Sequence, residues 1–263
     1  MGMKVPWVSV VGTAVFAVGL FWLQASGLHW EDQRPAVCMP DGCFCEAVRA
    51  ATIRQPSNTW SCLAYAQAGF LILETGLRRP LGSRAANAAA FAALELFLAV
   101  TSAYFHAALT FRAEWYDVLV LYLVPGYLTA FNLWRAFGAA RAAAALAIIA
   151  AASGLFLAFT SVGRMPAFIA LVAFFLATQW RVGWGSETDH RWLLRAIGTF
   201  GVALAIWVLD KSHIVCAPHS PWQGHAVWHI LCAGVVGMLF LHCDAMCDRL
   251  GPRVGGGAQG SRC

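Results

Sequence analysis

From Val5 to Ser26 the chain runs without a single charged side chain. The hydrocarbon layer of a bilayer is about 30 Å thick, and about 20 residues of α-helix cross it. Inside that layer every backbone polar group must be satisfied within the protein, which leaves helices and closed barrels as the only spanning forms. Seven further apolar runs follow: Ser57–Leu73, Ala85–Thr110, Trp115–Trp134, Ala142–Ser161, Pro166–Trp180, Leu193–Leu209 and His225–Leu241. Pro56 precedes the second and is a helix-start signal. The runs predict an all-α polytopic membrane bundle of eight spans. Composition agrees: 12% of the 263 residues are charged, against about 25% in a soluble domain.

The first run could also be read as a cleaved signal peptide, but it exceeds the usual signal core of about 7–15 residues. A retained helix over 1–27 is therefore expected, followed by an irregular outer loop over 28–56, the remaining seven spans over 57–243 and a flexible tail over 244–263. The 18 Lys and Arg residues sort the loops. With the N-terminus placed inside, they fall two to one on the inner side, as the positive-inside rule requires. Both termini then lie inside. The net charge of +5 includes no basic run of the kind that binds nucleic acid. The Ala-, Arg- and Trp-rich composition suits a bacterial inner membrane, whose outer face is periplasmic.

Ionisable residues inside spans are costly and tend to face a cavity or a partner. Most of them here fall at one level. Ser102 and His106, four apart on one helix face, lie near the outer end of the third span. Asp117 lies near the outer end of the fourth. His225 and His229, again four apart, open the eighth. The charge count did not use these residues, yet it places all five at the outer side. Three neutral imidazoles with one open position are a common catalytic zinc arrangement. The ion lowers the pKa of water there toward about 7. A carboxylate beside it can move protons, and a hydroxyl can steady an oxyanion. Taken singly, each residue has a plainer role: Ser102 as a small packing residue, Asp117 as an interfacial carboxylate.

Glu95 lies about three turns inward from His106, too far for a ligand, and is expected to pair with Asn87, Asn132 or another helix. His213 and His219 are expected to be solvated, and His29, His190 and His242 to be interfacial. None of the nine cysteines forms a CxxC pair, which argues against a cysteine zinc knuckle.

In this pattern the sequence resembles the alkaline ceramidase family, within the wider group of intramembrane hydrolases that includes the adiponectin receptors. The resemblance rests on Pro56-Ser57-Asn58-Thr59-Trp60-Ser61, on Ser102-Ala103-Tyr104-Phe105-His106 with Asp117 eleven residues on, on Trp207-Val208-Leu209-Asp210, and on Gln223-Gly224-His225-Ala226-Val227-Trp228-His229. It runs from about Cys43 to Leu241. It implies a seven-helix core, here with one extra N-terminal helix. It implies zinc on His106, His225 and His229, Asp117 as acid/base and Ser102 as support for the reacting oxygen. The implied activity is hydrolysis of the amide bond of ceramide or a similar N-acyl lipid, taken from the bilayer, to a fatty acid and an amine. A receptor-like or sensing protein with a structural zinc site is the alternative.

Eukaryotic members also bind calcium just before the first core helix. Here Glu46 matches an acidic ligand, while Cys43, Val48 and Gln55 stand where oxygen donors or acids would. Calcium takes about six to eight oxygens, so Glu46 is left as the one candidate calcium ligand. A disulfide among Cys38, Cys43, Cys45 and Cys216 is expected to hold this loop instead, which requires an oxidising outer compartment.

Overall fold

The structure, a computed structural model, describes residues 6–183 and 190–248. Its helices are α1 (Trp7–Ala25), α2 (Pro56–Ser61), α3 (Leu63–Leu77), α4 (Ser83–Ala108), α5 (Phe111–Phe137), α6 (Ala139–Phe159), α7 (Arg164–Thr178), α8 (Arg191–Lys211) and α9 (Gly224–Asp248). Six of these, and α7 together with the π-helical turn that carries it on to Val182, are long and apolar enough to cross a membrane. The eighth rod reaches that length only when α2 and α3 are taken together through Cys62, whose backbone is itself helical. Among the described residues no strand forms, only an isolated bridge between Pro35 and Thr110. The chain is a multi-pass all-α membrane protein.

The first helix is seated in the bundle by polar contacts as well as apolar ones. The Ser9 N–H donates to Glu74 Oε2 at 3.1 Å, Gln67 Nε2 donates to Ser9 Oγ at 2.8 Å, and Thr13 Oγ1 donates to Gln67 Oε1 at 2.9 Å. A Cβ on Gly12 would lie 2.6 Å from the Phe70 ring, so α1 and α3 approach closely because residue 12 has no side chain. The opposite side of α1, with Val15, Phe21 and Trp22, is exposed, as a lipid-facing side is.

The last helix runs past the end expected for it. Asp244 is buried and accepts from Arg79 at 2.6 and 2.8 Å and from Arg84 at 3.2 and 2.9 Å. Cys243, Met246 and Cys247 belong to the core beside Phe91 and Phe240. Residues 244–248 are therefore part of the bundle, not tail; the rest of the expected tail lies outside the described residues. His242 is buried beside the His190 ring rather than interfacial. Glu95 is also fully buried, but it pairs with neither asparagine, and neither of its oxygens accepts a hydrogen bond. Asn87 instead accepts from Tyr127, and Asn132 donates to Thr178.

The turn that positions the candidate site joins α4 to α5. Leu109 takes the left-handed conformation (φ 48°) that ends many helices. Thr110 is extended and caps α5, accepting from the Ala113 N–H at 3.4 Å. With two residues between the helices, the end of α4 and the start of α5 must share one level. An α-helix leaves its last four carbonyls without partners in the helix, and the outer loop supplies most of them. Gln55 N donates to the His106 carbonyl and Arg54 N to the Ala107 carbonyl, both at 3.1 Å. Arg54 Nη1 reaches the Ala108 carbonyl at 3.4 Å. The loop is thereby tied to the helix end that carries His106.

Candidate metal centre

His106, His225 and His229 are all buried, and one ring nitrogen from each lies within 4.8 Å of the other two. His106 Nε2 and His225 Nε2 are 3.2 Å apart. Zinc–nitrogen bonds of about 2.0–2.1 Å in tetrahedral geometry set nitrogens about 3.3 Å apart. Among the described residues this is the one group of three or more His, Cys, Asp or Glu side chains arranged to hold a metal.

The neighbours decide which nitrogens are bare. His106 Nδ1 is 3.0 Å from Gln55 Oε1, while Gln55 Nε2 donates to the Glu46 carbonyl at 3.0 Å. The amide oxygen accepts only, so the proton sits on Nδ1 of His106 and Nε2 is left as a lone-pair donor. His229 Nδ1 is 2.7 Å from Ser61 Oγ, whose hydroxyl donates to the Asn58 carbonyl at 2.8 Å. The serine oxygen must accept, so His229 also presents a bare Nε2. Two bare nitrogens thus converge on His225. A proton on His225 Nε2 could serve only one of them, whereas a cation serves all three. Hydrogen bonds of this kind to the far nitrogen of a ligand histidine fix its tautomer and aim its ring. The residues present fit a three-histidine zinc site.

His225 is held differently. Its ring stacks on Phe44, centroids 3.6 Å apart and planes at 23°, and its Nδ1 makes no hydrogen bond. Its backbone N–H donates to Asp210 Oδ2 at 3.0 Å. Asp210, the last acidic residue of α8, thereby satisfies one of the N–H groups exposed where α9 begins.

Ser102 lies one turn before His106, is 2% exposed, and places Oγ 3.4 Å from His229 Nε2. Asp117, on the second turn of α5, interacts with the Ser102 hydroxyl. Ser102, Asp117, His225 and His229 line one cavity of about 290 Å³, walled by Tyr65 and Trp207 among others. The other carboxylate in its wall, Glu114, is taken up by Arg164 at 2.9 Å and the Val37 N–H at 2.6 Å. All five residues singled out in the spans therefore meet, from α4, α5 and α9.

Glu46 is elsewhere. Its Oε1 accepts from the Ser57 N–H at 2.7 Å and its Oε2 from the Asn58 N–H at 2.9 Å. Both oxygens are engaged at the start of α2, where a carboxylate is favoured. Burial pushes its carboxyl above the ordinary value, opposed by those same donors. The four outer cysteines pair as Cys38–Cys43 and Cys45–Cys216. His213 and His219 are exposed near the second bond.

Gln55, Ser61, Phe44 and Asp210 complete the site, and reading the spans for ionisable residues did not find them. Ser61 and Asp210 stand inside the stretches that carry the family resemblance, which was the one signal present. Replacing Gln55 by Leu, or Ser61 by Ala, is expected to weaken the affinity of the three histidines for a metal ion about 10–100-fold while leaving the fold intact, the usual cost of losing an outer partner. Competition against a chelator of known affinity measures it.

Comparison of the chain with protein-family models, with curated proteins and with solved structures finds no match in any of the three.

Proposed function

We propose that this chain is a zinc-dependent intramembrane hydrolase that cleaves the amide bond of ceramide or a similar N-acyl lipid. One observation carries the reading. The cavity holding Ser102, Asp117, His225 and His229 shares Leu98, Leu121 and Phe168 with a wholly apolar cavity of about 120 Å³ between α4, α5, α7, α8 and α9. A polar site thus adjoins an apolar cavity whose lining suits a hydrocarbon chain. Among the described residues no fourth His, Cys, Asp or Glu joins the three histidines. Structural zinc sites are closed by four protein ligands, and catalytic ones keep a position open.

Bound zinc would supply Lewis acidity, polarising a carbonyl and making water a nucleophile at neutral pH. The protein's own groups do the rest. The acyl chain lies among Leu98, Leu121, Val124, Phe168 and Phe200, which brings the amide to the level of Ser102. The Ser102 hydroxyl donates to the oxygen that gains charge as water adds to the carbonyl carbon. Asp117 takes the proton released by that water and hands it to the amine nitrogen as the C–N bond breaks. A fatty acid and a free amine, a sphingoid base in the case of ceramide, leave. The lipid enters sideways from the bilayer, where its acyl chain already lies. The charge bias of the loops supports cytoplasmic termini and a site at the periplasmic side of a bacterial inner membrane.

Purified protein with one equivalent of zinc is expected to release fatty acid from at least one member of a panel of ceramides and other N-acyl lipids, followed by mass spectrometry. Failure on every lipid in the panel, with zinc shown to be bound, ends the hydrolase reading.

A further inference from the structure

Four consecutive residues of the outer loop, Cys43 to Glu46, hold the metal centre from above, and each does a separate task. The Cys43 carbonyl accepts from Lys211 Nζ at 2.6 Å. The Phe44 ring stacks on His225 and lies 5.4 Å from the His106 ring. The Cys45 N–H donates to Asp210 Oδ1 at 3.1 Å, and the other oxygen of that carboxylate holds the N–H of His225. The Glu46 carbonyl accepts from the Gln55 amide that fixes the His106 tautomer. Two of the three histidines therefore take their orientation from a segment that has no helix or strand of its own.

An irregular segment pays conformational entropy for every residue it orders. Such a loop can open locally without unfolding the helices beneath it. What opposes opening here is covalent as well as polar. The Cys45–Cys216 bond joins the segment to the α8–α9 connection across 171 residues, next to the helix end that carries Asp210. Asp210 is itself packed closely on the start of α9: a Cβ on Gly224 would lie 3.0 Å from both Cβ and Oδ2 of Asp210.

We propose that the Cys45–Cys216 bond and Asp210 form a clamp that positions His225, so that zinc affinity depends on the oxidised state of the outer loop. The bond keeps Cys45 against Asp210 and Phe44 against the His225 ring. Asp210 is the positioning residue through which the clamp acts on the first turn of α9. Reduction by a phosphine is the direct perturbation. The phosphine gives two electrons to the sulfur–sulfur bond and takes the oxygen of one water, and the two sulfurs take that water's protons. The loop is then free to lift, His225 loses its stacking partner, and Asp210, which anchors the His225 backbone, loses the Cys45 N–H that orients it. The inference rests on the zinc reading above.

The experiment measures zinc affinity by chelator competition on the purified full-length protein in detergent. It compares the oxidised protein, the phosphine-reduced protein, Cys45→Ser/Cys216→Ser and Asp210→Asn. Zinc should bind the oxidised protein and weaken about 10–100-fold in the other three. Asp210→Asn should do so with both disulfides still formed by mass spectrometry. Phosphine should weaken the double variant no further. Cobalt(II) in place of zinc should lose its tetrahedral visible absorption in parallel, a signature that a general loss of stability would not produce with helix content unchanged. If the double variant does not fold, reduction of protein already folded decides the matter. Affinities within twofold in the oxidised and reduced states overturn the clamp and leave the metal site standing. No zinc on the oxidised protein overturns the metal reading itself.

Discussion

Replacing His229 by Ala should remove zinc outright. With two imidazoles left, occupancy should fall from about one equivalent to near none, and affinity should drop on the order of a thousandfold or more. That exceeds the 10–100-fold typical of losing an outer partner such as Gln55 or Ser61. The reason lies in the donor set. His106 and His229 are the two rings whose neighbours force Nε2 to be bare, so each is committed to the ion in a way that His225, with an unbonded Nδ1, is not. Stability should show the same change from another side. A ligand present at 1,000 times its dissociation constant stabilises the folded state by about 4 kcal/mol. Zinc should therefore raise the thermal midpoint of the native protein and leave that of His229→Ala where it was. Metal analysis and thermal unfolding with and without a chelator check both statements. A variant that still binds one zinc tightly would show that the three rings do not form the site.

The sequence was most informative where physics is least forgiving. A charge-free run of about 20 residues can hardly be anything but a span, and a buried polar side chain in such a run must have company. That is why Ser102, His106, Asp117, His225 and His229 could be placed at one level before their geometry was known. The i, i+4 spacing gave the facing, and the two-residue turn at Leu109–Thr110 gives the level. The parts that stayed hidden are those fixed by irregular backbone. Gln55 reaches His106 only because the loop folds back along the end of α4, and nothing periodic announces this. Glu46 looks like a cation ligand in sequence and works as a cap on α2 in the structure, because burial against two N–H donors depends on where the loop turns. Asp210 reads as a helix-end acid, although it bridges two segments that are 165 and 15 residues away from it. Glu95 went the other way: it was expected to pair with Asn87, Asn132 or another helix, and neither of its oxygens accepts a hydrogen bond.

Asp117→Asn separates catalysis from metal binding more cleanly than any histidine change. The amide has the size of the carboxylate, so the cavity wall and the three histidines should be undisturbed. What it cannot do is take a proton at neutral pH. General acid–base catalysis contributes about 10²–10⁴-fold to such reactions, and kcat is expected to fall by that factor with zinc content and KM nearly unchanged. An interaction made only in the transition state is lost in this way, from kcat and kcat/KM together. Ser102→Ala should fall less, since it removes one donor to a developing oxyanion and leaves the proton path intact. The ordering matters more than either value. A zinc site serving only as a staple, as in a receptor-like protein, predicts that Asp117→Asn changes neither zinc nor any functional readout, because Asp117 is not among the three side chains that would hold the ion. A hydrolase predicts full zinc and almost no turnover, and no arrangement of a structural site gives that pair of results.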